Sequence, residues 1–139
     1  MTTLTLDTDN RAQIMNWLQS GTWVVACLCA AWCDACRQYR ESFDALAARH
    51  PDKRFVWIDI EDEADLVGDF DVENFPTLLI QKRDAVAFFG TVLPDLQLAD
   101  RLIQAQAERS LEEIRAGGNP TREAWQTERN LLVKLQEEH

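Results

Sequence analysis

An unbroken apolar run, Trp23-Val-Val-Ala-Cys-Leu-Cys29, leads through Ala30-Ala31-Trp32 into a segment that opens on Cys33 and places a second cysteine at Cys36. The run is too short for a buried helix and lacks polar alternation. It is therefore predicted as a strand covered on both faces, as in the middle of a parallel sheet. After Cys33, the residues Cys36, Tyr39, Phe43, Leu46 and Ala47 recur at helical spacing, with Arg37, Arg40, Glu41 and Asp44 at other positions. This is an amphipathic helix, and Pro51 closes it. Phe55-Val-Trp-Ile-Asp-Ile60 repeats the strand signal, so strand, helix and strand form a β-α-β unit, whose strands pair in parallel.

The flanking chain completes an α/β pattern. Thr3 to Leu6 suits a short edge strand, and Asp9 or Asn10 can cap a helix that runs through Leu18 and ends at Gly21. Acidic Glu61 to Phe70 fits a short surface helix. Pro76 starts a third core strand, Thr77-Leu-Leu-Ile80. A polar turn over Gln81 to Asp84 then joins it to Ala85-Val-Ala-Phe-Phe89 as an antiparallel hairpin. Pro94 starts a long helix whose stripe runs from Leu96 through Ala99, Leu102, Ile103, Ala107 and Leu111 to Ile114, before Gly117-Gly118. Asn119-Pro120 signals a last helix over Thr121 to about Glu137. The expected division is a domain over residues 1–115 and a helical extension over 119–138. The extension carries Trp125, Leu131, Leu132 and Leu135, which either dock on the domain or meet a partner.

A chain of 139 residues with 46% hydrophobic and 27% charged residues buries an ordinary globular core without cross-links. Its 14 basic against 24 acidic residues, a net charge of −10, argue against nucleic acid as a partner. No apolar run reaches the ~18 residues of a membrane span. The first residues, Met1-Thr-Thr-Leu-Thr-Leu, lack the basic and apolar regions of a secretory leader, and a cytoplasmic protein is expected.

All four cysteines, Cys27, Cys29, Cys33 and Cys36, are clustered, whereas a structural disulfide framework spreads its cysteines to staple distant segments. The cluster therefore marks a site. A thiol just before a helix projects at free N–H groups and a partial positive charge, which stabilise a thiolate. A second thiol one turn on lies within reach and is more buried. Cys33 would attack a partner disulfide, and Cys36 would resolve the mixed disulfide. Zinc needs four ligands, and neither His50 nor His139 lies at metal-ligand spacing to the pair. Cys27 and Cys29 could add two sulfurs, but alternate strand residues share one face, expected beneath the helix rather than beside its tip. No metal is expected.

These residues resemble the thioredoxin family. Ala30-Ala31-Trp32-Cys33-x-x-Cys36-Arg37 follows its active-site pattern. Phe55-Val-Trp-Ile-Asp59 is similar to its central strand, and Asp69-Phe70-x-Val72-x-Asn74-Phe75-Pro76-Thr77 to the segment leading to its cis-proline. Gly90 stands where a family glycine follows the hairpin. The resemblance covers about Thr3 to Ala107. It implies a thioredoxin fold: a central mixed sheet flanked by helices, here with one extra C-terminal helix. It also implies that Phe75–Pro76 is cis and lies against Cys33. The Phe75 backbone would pair with an extended substrate, with Trp32 and Pro76 beside it.

The sequence departs from the family at informative places. Cys27 replaces a buried aspartate that serves the second thiol, and Trp57 replaces that aspartate's partnering lysine. Cys29 replaces an aromatic residue. Burying neither charge avoids a desolvation cost but leaves Cys36 without an internal base. Whether Cys27 or Cys29 exchanges with the pair stays open, and small core hydrophobes are the favoured reading. Asp34-Ala35 replaces Gly-Pro between the cysteines. Asp34 suits the helix dipole but opposes a neighbouring thiolate, so the dipeptide leaves the direction of electron flow undecided.

The expected activity is thiol–disulfide exchange with protein substrates through Cys33 and Cys36. Absence of a leader favours the reductive direction. The resemblance implies no cofactor of the protein's own and a flavoprotein thioredoxin reductase as partner. The competing expectation is a client-binding, chaperone-like module on the same fold. The acid run from Asp59 to Glu73 is a solvated face that would favour basic proteins.

Overall fold

The computed structural model describes residues 3–70, 72, 74–93, 95–115 and 129–138. A sheet of five strands runs in the order β1 (Leu4–Thr5), β3 (Arg54–Asp59), β2 (Val24–Cys29), β4 (Thr77–Lys82), β5 (Ala85–Thr91). β3 pairs in parallel with both β1 and β2, while β4 pairs antiparallel with β2 and β5. The sheet is therefore mixed, as the β-α-β unit and the hairpin required.

β2 is buried at every position. Val24, Ala26 and Leu28 enter one apolar layer with Ile14, Leu18, Ile58, Leu66, Phe70 and Leu79. Val25, Cys27 and Cys29 enter the opposite layer with Cys36, Tyr39, Phe43, Phe55, Leu78 and Ile103. The period-two alternation of a strand thus divides one apolar run between two cores. Among the described residues, the helices that cover them are α1 (Arg11–Gln19), α2 (Asp34–Arg49), α3 (Ala64–Val67), α4 (Leu96–Ala107), α5 (Leu111–Arg115) and α6 (Leu131–Glu138).

Glycine ends α1 where the chain needs a positive φ. Gly21 has φ of 88°, and Gly21 N–H and Thr22 N–H donate to Leu18 and Trp17 carbonyls, a Schellman motif. The hairpin turn is shorter than expected. Ladder pairing extends to Lys82 and Ala85, which leaves Arg83-Asp84 as the turn. Arg83 takes φ of 53° there, and its guanidinium donates to the Gln19 carbonyl at 2.9 Å. The segment after β3 is less of a surface helix than expected. Leu66, Val67 and Phe70 are buried, and a 3-10 turn over Gly68–Phe70 follows α3.

The expected long helix is two helices. α4 ends at Ala107, and Ser110 restarts the chain as α5, its hydroxyl accepting Glu113 N–H at 3.1 Å. Ser110-x-x-Glu113 is a capping-box signature, so a local stop-and-start signal overrides the continuous stripe. α4 begins on Asp95, whose carboxylate accepts Gln97 and Leu98 N–H groups, while Pro94 lies outside the described residues. Of the predicted last helix, residues 116–128, including Trp125, also lie outside them. α6 packs on α1 and α3, with Leu131, Leu132 and Leu135 buried in the first layer.

Asn130 anchors α6. Its side chain accepts from Gln81 Nε2 at 2.7 Å and Val133 N–H at 3.2 Å, and donates to the Asp84 carbonyl at 2.7 Å. Gln81 Oε1 in turn accepts Leu131 N–H at 2.9 Å. Both side chains are fully buried, and removing Asn130 takes the donor from the Asp84 carbonyl and the acceptor from Val133 N–H, while Gln81 keeps its bonds to Arg83 and Leu131. Asn130→Ala is expected to destabilise the protein by about 1–3 kcal/mol, and Leu135→Ala by about 2–5 kcal/mol. Urea midpoints of the two variants check both values, and an unchanged midpoint for Leu135→Ala would show that α6 contributes nothing to the fold.

Candidate functional site

The site forms where β2 ends and α2 begins. β2 delivers Cys27 and Cys29 to the α2 side of the sheet, in register with Trp57 and Asp59 of β3. The chain then turns, with Cys33 N–H donating to the Ala30 carbonyl at 3.0 Å. Cys33 is the N-cap of α2, with extended backbone, and its carbonyl accepts Arg37 N–H at 3.1 Å. Cys36 sits in the first turn and is buried, whereas Cys33 is partly exposed.

The sulfurs do not pair as the Cys33–Cys36 motif leads one to expect. A disulfide joins Cys29 to Cys36, with Cα atoms 5.7 Å apart, and Cys33 is a free thiol. Cys27 is also free and buried, its sulfur 3.8 Å from that of Cys29. Cys29 is thus not a mere core hydrophobe. Its register was the available signal: Cys27 and Cys29 alternate with Leu28 on the face over which the Cys36 turn of the helix lies.

Burial pushes the Cys27 thiol up and keeps it protonated, and the nearby Arg40 opposes this only in part. Tyr39 is likewise pushed up by burial first and by Cys27 second. Arg40 lies over the Trp57 ring, 5.0 Å from its centroid, where a cation–π contact replaces an acid–base pair. A cavity of about 300 Å³ opens beside Cys36 and is lined by Arg37, Arg40, Trp57 and Asp59. It places the Arg37, Arg40 and Asp59 side chains along one border of the otherwise buried Cys36. Sequence reasoning did not single out Arg40, since its place in the helix pattern is that of an ordinary exposed residue.

Asp59 fixes the loop before Cys33. One carboxylate oxygen accepts Ala31 N–H at 3.1 Å, and the other accepts Glu61 and Asp62 N–H at 2.9 and 3.2 Å. Part of the acid run is therefore structural. Glu63 is buried and pairs with Arg11 at 2.8 Å, while Asp71 and Glu73 lie outside the described residues. Arg37 pairs with exposed Asp34 and donates to the Ala31 carbonyl at 2.9 Å, so the charge that Asp34 sets beside Cys33 is locally opposed.

Trp32 is 62% exposed, and its indole N–H donates to Glu61. Its ring meets Phe75 edge to face at 5.7 Å. The Phe75–Pro76 bond is cis, and Phe75 and Cys33 both border the α2-side core. Among the described residues no group of three His, Cys, Asp or Glu side chains is placed to hold a metal ion. None of the described helices is long and apolar enough to cross a membrane.

A mixed sheet that carries a Cys-x-x-Cys helix start opposite a cis-proline strand defines a class of dithiol proteins. Residues 3–102 match the thioredoxin family model, and the chain belongs to the thioredoxin family. It is 33% identical over 88 residues to putative thioredoxin 2 of Streptomyces coelicolor, covering 62% of this chain and 64% of that protein. It is 32% identical over 88 residues to thioredoxin H5 of rice (Oryza sativa), covering 58% and 62%. The chain thus spans less than two thirds of the length of these curated relatives. Among solved structures, a poplar thioredoxin h superposes with TM-score 0.69 at 18% identity, covering 79% of this chain and 100% of that one. A thioredoxin from Nicotiana alata gives 0.66 at 23% identity, covering 76% and 92%.

The raised Cys27 and Tyr39 groups make stability depend on alkaline pH. Their ordinary values are 9.0 and 10.0. Above about pH 9 the unfolded thiol ionises while the buried one stays protonated. Folding stability is then complete below pH 9 and falls as pH rises, by up to about 1.4 kcal/mol per pH unit for each such group. Denaturant unfolding between pH 8 and 11 is expected to show this decline, and Cys27→Ala is expected to make it shallower. An identical slope in the variant would mean that Cys27 ionises freely in the folded protein.

Proposed function

We propose that this protein is a thiol–disulfide oxidoreductase that reduces disulfides of other proteins, with Cys33 as nucleophile and Cys36 as resolving thiol. The observation that carries this reading is the contrast between the two sulfurs. Cys33 is a free, partly exposed thiol at a helix N-terminus, and Cys36 one turn on is buried and already disulfide-bonded. The first can meet a substrate, and the second can meet only a sulfur brought to it.

Once the Cys29–Cys36 bond has been reduced to two thiols by a reductase, the Cys33 thiolate attacks one sulfur of the substrate disulfide. One substrate thiol leaves, and a mixed disulfide forms. Cys36 then attacks the Cys33 sulfur, loses its proton towards the cavity beside Arg37 and Asp59, and releases the second substrate thiol. Exposed Trp32 and the Phe75–Pro76 edge form the surface that an extended substrate would line. Asp34 and Ala35 set the start of the helix, and Cys27 lies beneath the pair as a protonated neighbour. The clustered thiols fit a reducing compartment, the cytoplasm, where a flavoprotein reductase would return the protein to its dithiol state. No cofactor of its own enters these steps.

Reduction of insulin by dithiothreitol tests the reading. The protein is expected to accelerate it, and Cys33→Ser to remove the acceleration. Cys36→Ser is expected to accumulate a mixed disulfide with insulin through Cys33. Trapping that requires Cys33→Ser instead would reverse the two roles, and no acceleration by the wild-type protein would favour a client-binding module.

A further inference from the structure

Exchange between substrate and the Cys33/Cys36 pair uses two of four clustered sulfurs, and the observed disulfide uses a third. Cys36 has two partners within the geometry of the fold. Cys33 occupies the N-cap of the same helix, from which a side chain reaches back over the first turn. Cys29 ends β2 beneath that turn and is bonded to Cys36. We propose that Cys36 is a branch point, and that exchange within the protein carries the disulfide inward to Cys29–Cys36, so that the oxidised protein keeps Cys33 as a free thiol. The proposal rests on the reading in which Cys33 attacks the substrate.

The step is balanced. Once the substrate is released, the protein holds a Cys33–Cys36 disulfide and a Cys29 thiol. The Cys29 sulfur, losing its proton, attacks the Cys36 sulfur. The Cys29–Cys36 bond forms as Cys33–Cys36 breaks, and the departing Cys33 sulfur takes up a proton. No electrons leave or enter, so no further oxidant is needed, and the protein remains two electrons oxidised.

Burial decides the direction. Cys29 and Cys36 are at 0% and 1% exposure, so the inner bond places the remaining thiol at Cys33 instead of leaving it at a buried site that disfavours its ionised form. Cys33 is partly exposed, so its thiol is solvated when the bond moves inward. Cys27, whose sulfur lies 3.8 Å from that of Cys29, is a free thiol and forms no part of the observed bond.

The consequence is chemical. A dithiol whose oxidised form is Cys33–Cys36 hides its nucleophile on oxidation, whereas a protein oxidised at Cys29–Cys36 does not. Its Cys33 can attack a further disulfide, such as that of glutathione: Cys33 forms a mixed disulfide, and one glutathione leaves as the thiol. Cys36 is then engaged elsewhere and cannot resolve the adduct, so it persists.

The test uses the full chain, oxidised with cyclic dithiothreitol disulfide and labelled with iodoacetamide without denaturation. Cleavage after Trp32 separates Cys29 from the Cys33–Cys36 fragment. Mass spectrometry of the unreduced digest is expected to show the Cys29 fragment joined to the Cys36 fragment, with Cys33 carrying the label. Glutathione disulfide in place of iodoacetamide is expected to add one glutathione at Cys33. In Cys29→Ser, oxidation is expected to protect Cys33, slowing its labelling roughly tenfold or more. A tenfold preference for the inner bond also predicts that this variant's reduction potential is higher by about 30 mV. A wild-type digest with only an internal Cys33–Cys36 bridge, and Cys33 unlabelled, overturns the proposal whether or not the variant folds. Insulin reduction separates the two readings. Turnover with only a Cys33–Cys36 bridge removes the branch and keeps the oxidoreductase, whereas no turnover with the inner bridge removes the oxidoreductase and leaves a buried structural disulfide.

Discussion

The structure depends on the burial of β2 on both faces. Because its side chains alternate, Val24, Ala26 and Leu28 serve one core and Val25, Cys27 and Cys29 the other, and the strand cannot slip by one residue without exchanging them. Its neighbours fix it from both edges, β3 in parallel and β4 antiparallel. This register carries the sulfur chemistry inward. Cys29, the last residue of β2, lies under the first turn of α2 because the chain has only Ala30, Ala31 and Trp32 in which to turn before Cys33 caps the helix.

The α2-side core is drier than the resemblance alone implies. Where family members bury a carboxylate and a lysine, Cys27 pairs in register with Trp57. The positive charge near this site is that of Arg40, whose guanidinium lies over the Trp57 ring. Isolated buried charges cost several kcal/mol unless geometry compensates them, so this exchange relieves the fold of a demanding pair. A cavity lined by Arg37, Arg40, Trp57 and Asp59 borders Cys36 on this side.

The elements with strong periodicity were legible: the buried β2 run, the α2 stripe from Cys36 to Ala47, the second core strand and the hairpin all appear where hydrophobic spacing places them. What escaped was decided by competing local or tertiary terms. Ser110 and Glu113 divide an apolar stripe that looked continuous, because a cap satisfies the backbone there. Arg83 accepts a positive φ in a two-residue turn because a carbonyl of α1 receives its guanidinium. The anchoring of α6 by Gln81 and Asn130 joins two polar residues far apart in sequence, and hydrophobic spacing carries no trace of such a pair. At the site, position identified four cysteines as a centre, but which sulfurs bond depends on how β2 and α2 stack, and only three-dimensional packing supplies that.

Chain entropy does not explain the observed pairing. In a flexible chain the shorter Cys33–Cys36 loop closes more readily than the Cys29–Cys36 loop, whose separation is 7, by about 0.7 kcal/mol. The unfolded chain therefore favours the outer disulfide, and the folded protein must overcome that preference. It does so where the two layers meet: Cys29 and Cys36 are both shut off from water, while Cys33 sits at the helix mouth. The inner bond leaves the remaining thiol at Cys33, in reach of water, and the packing of β2 under α2 holds the Cys29 and Cys36 Cα atoms 5.7 Å apart, a separation a disulfide spans. The location of the disulfide is thus a property of the folded core, set by how β2 and α2 pack.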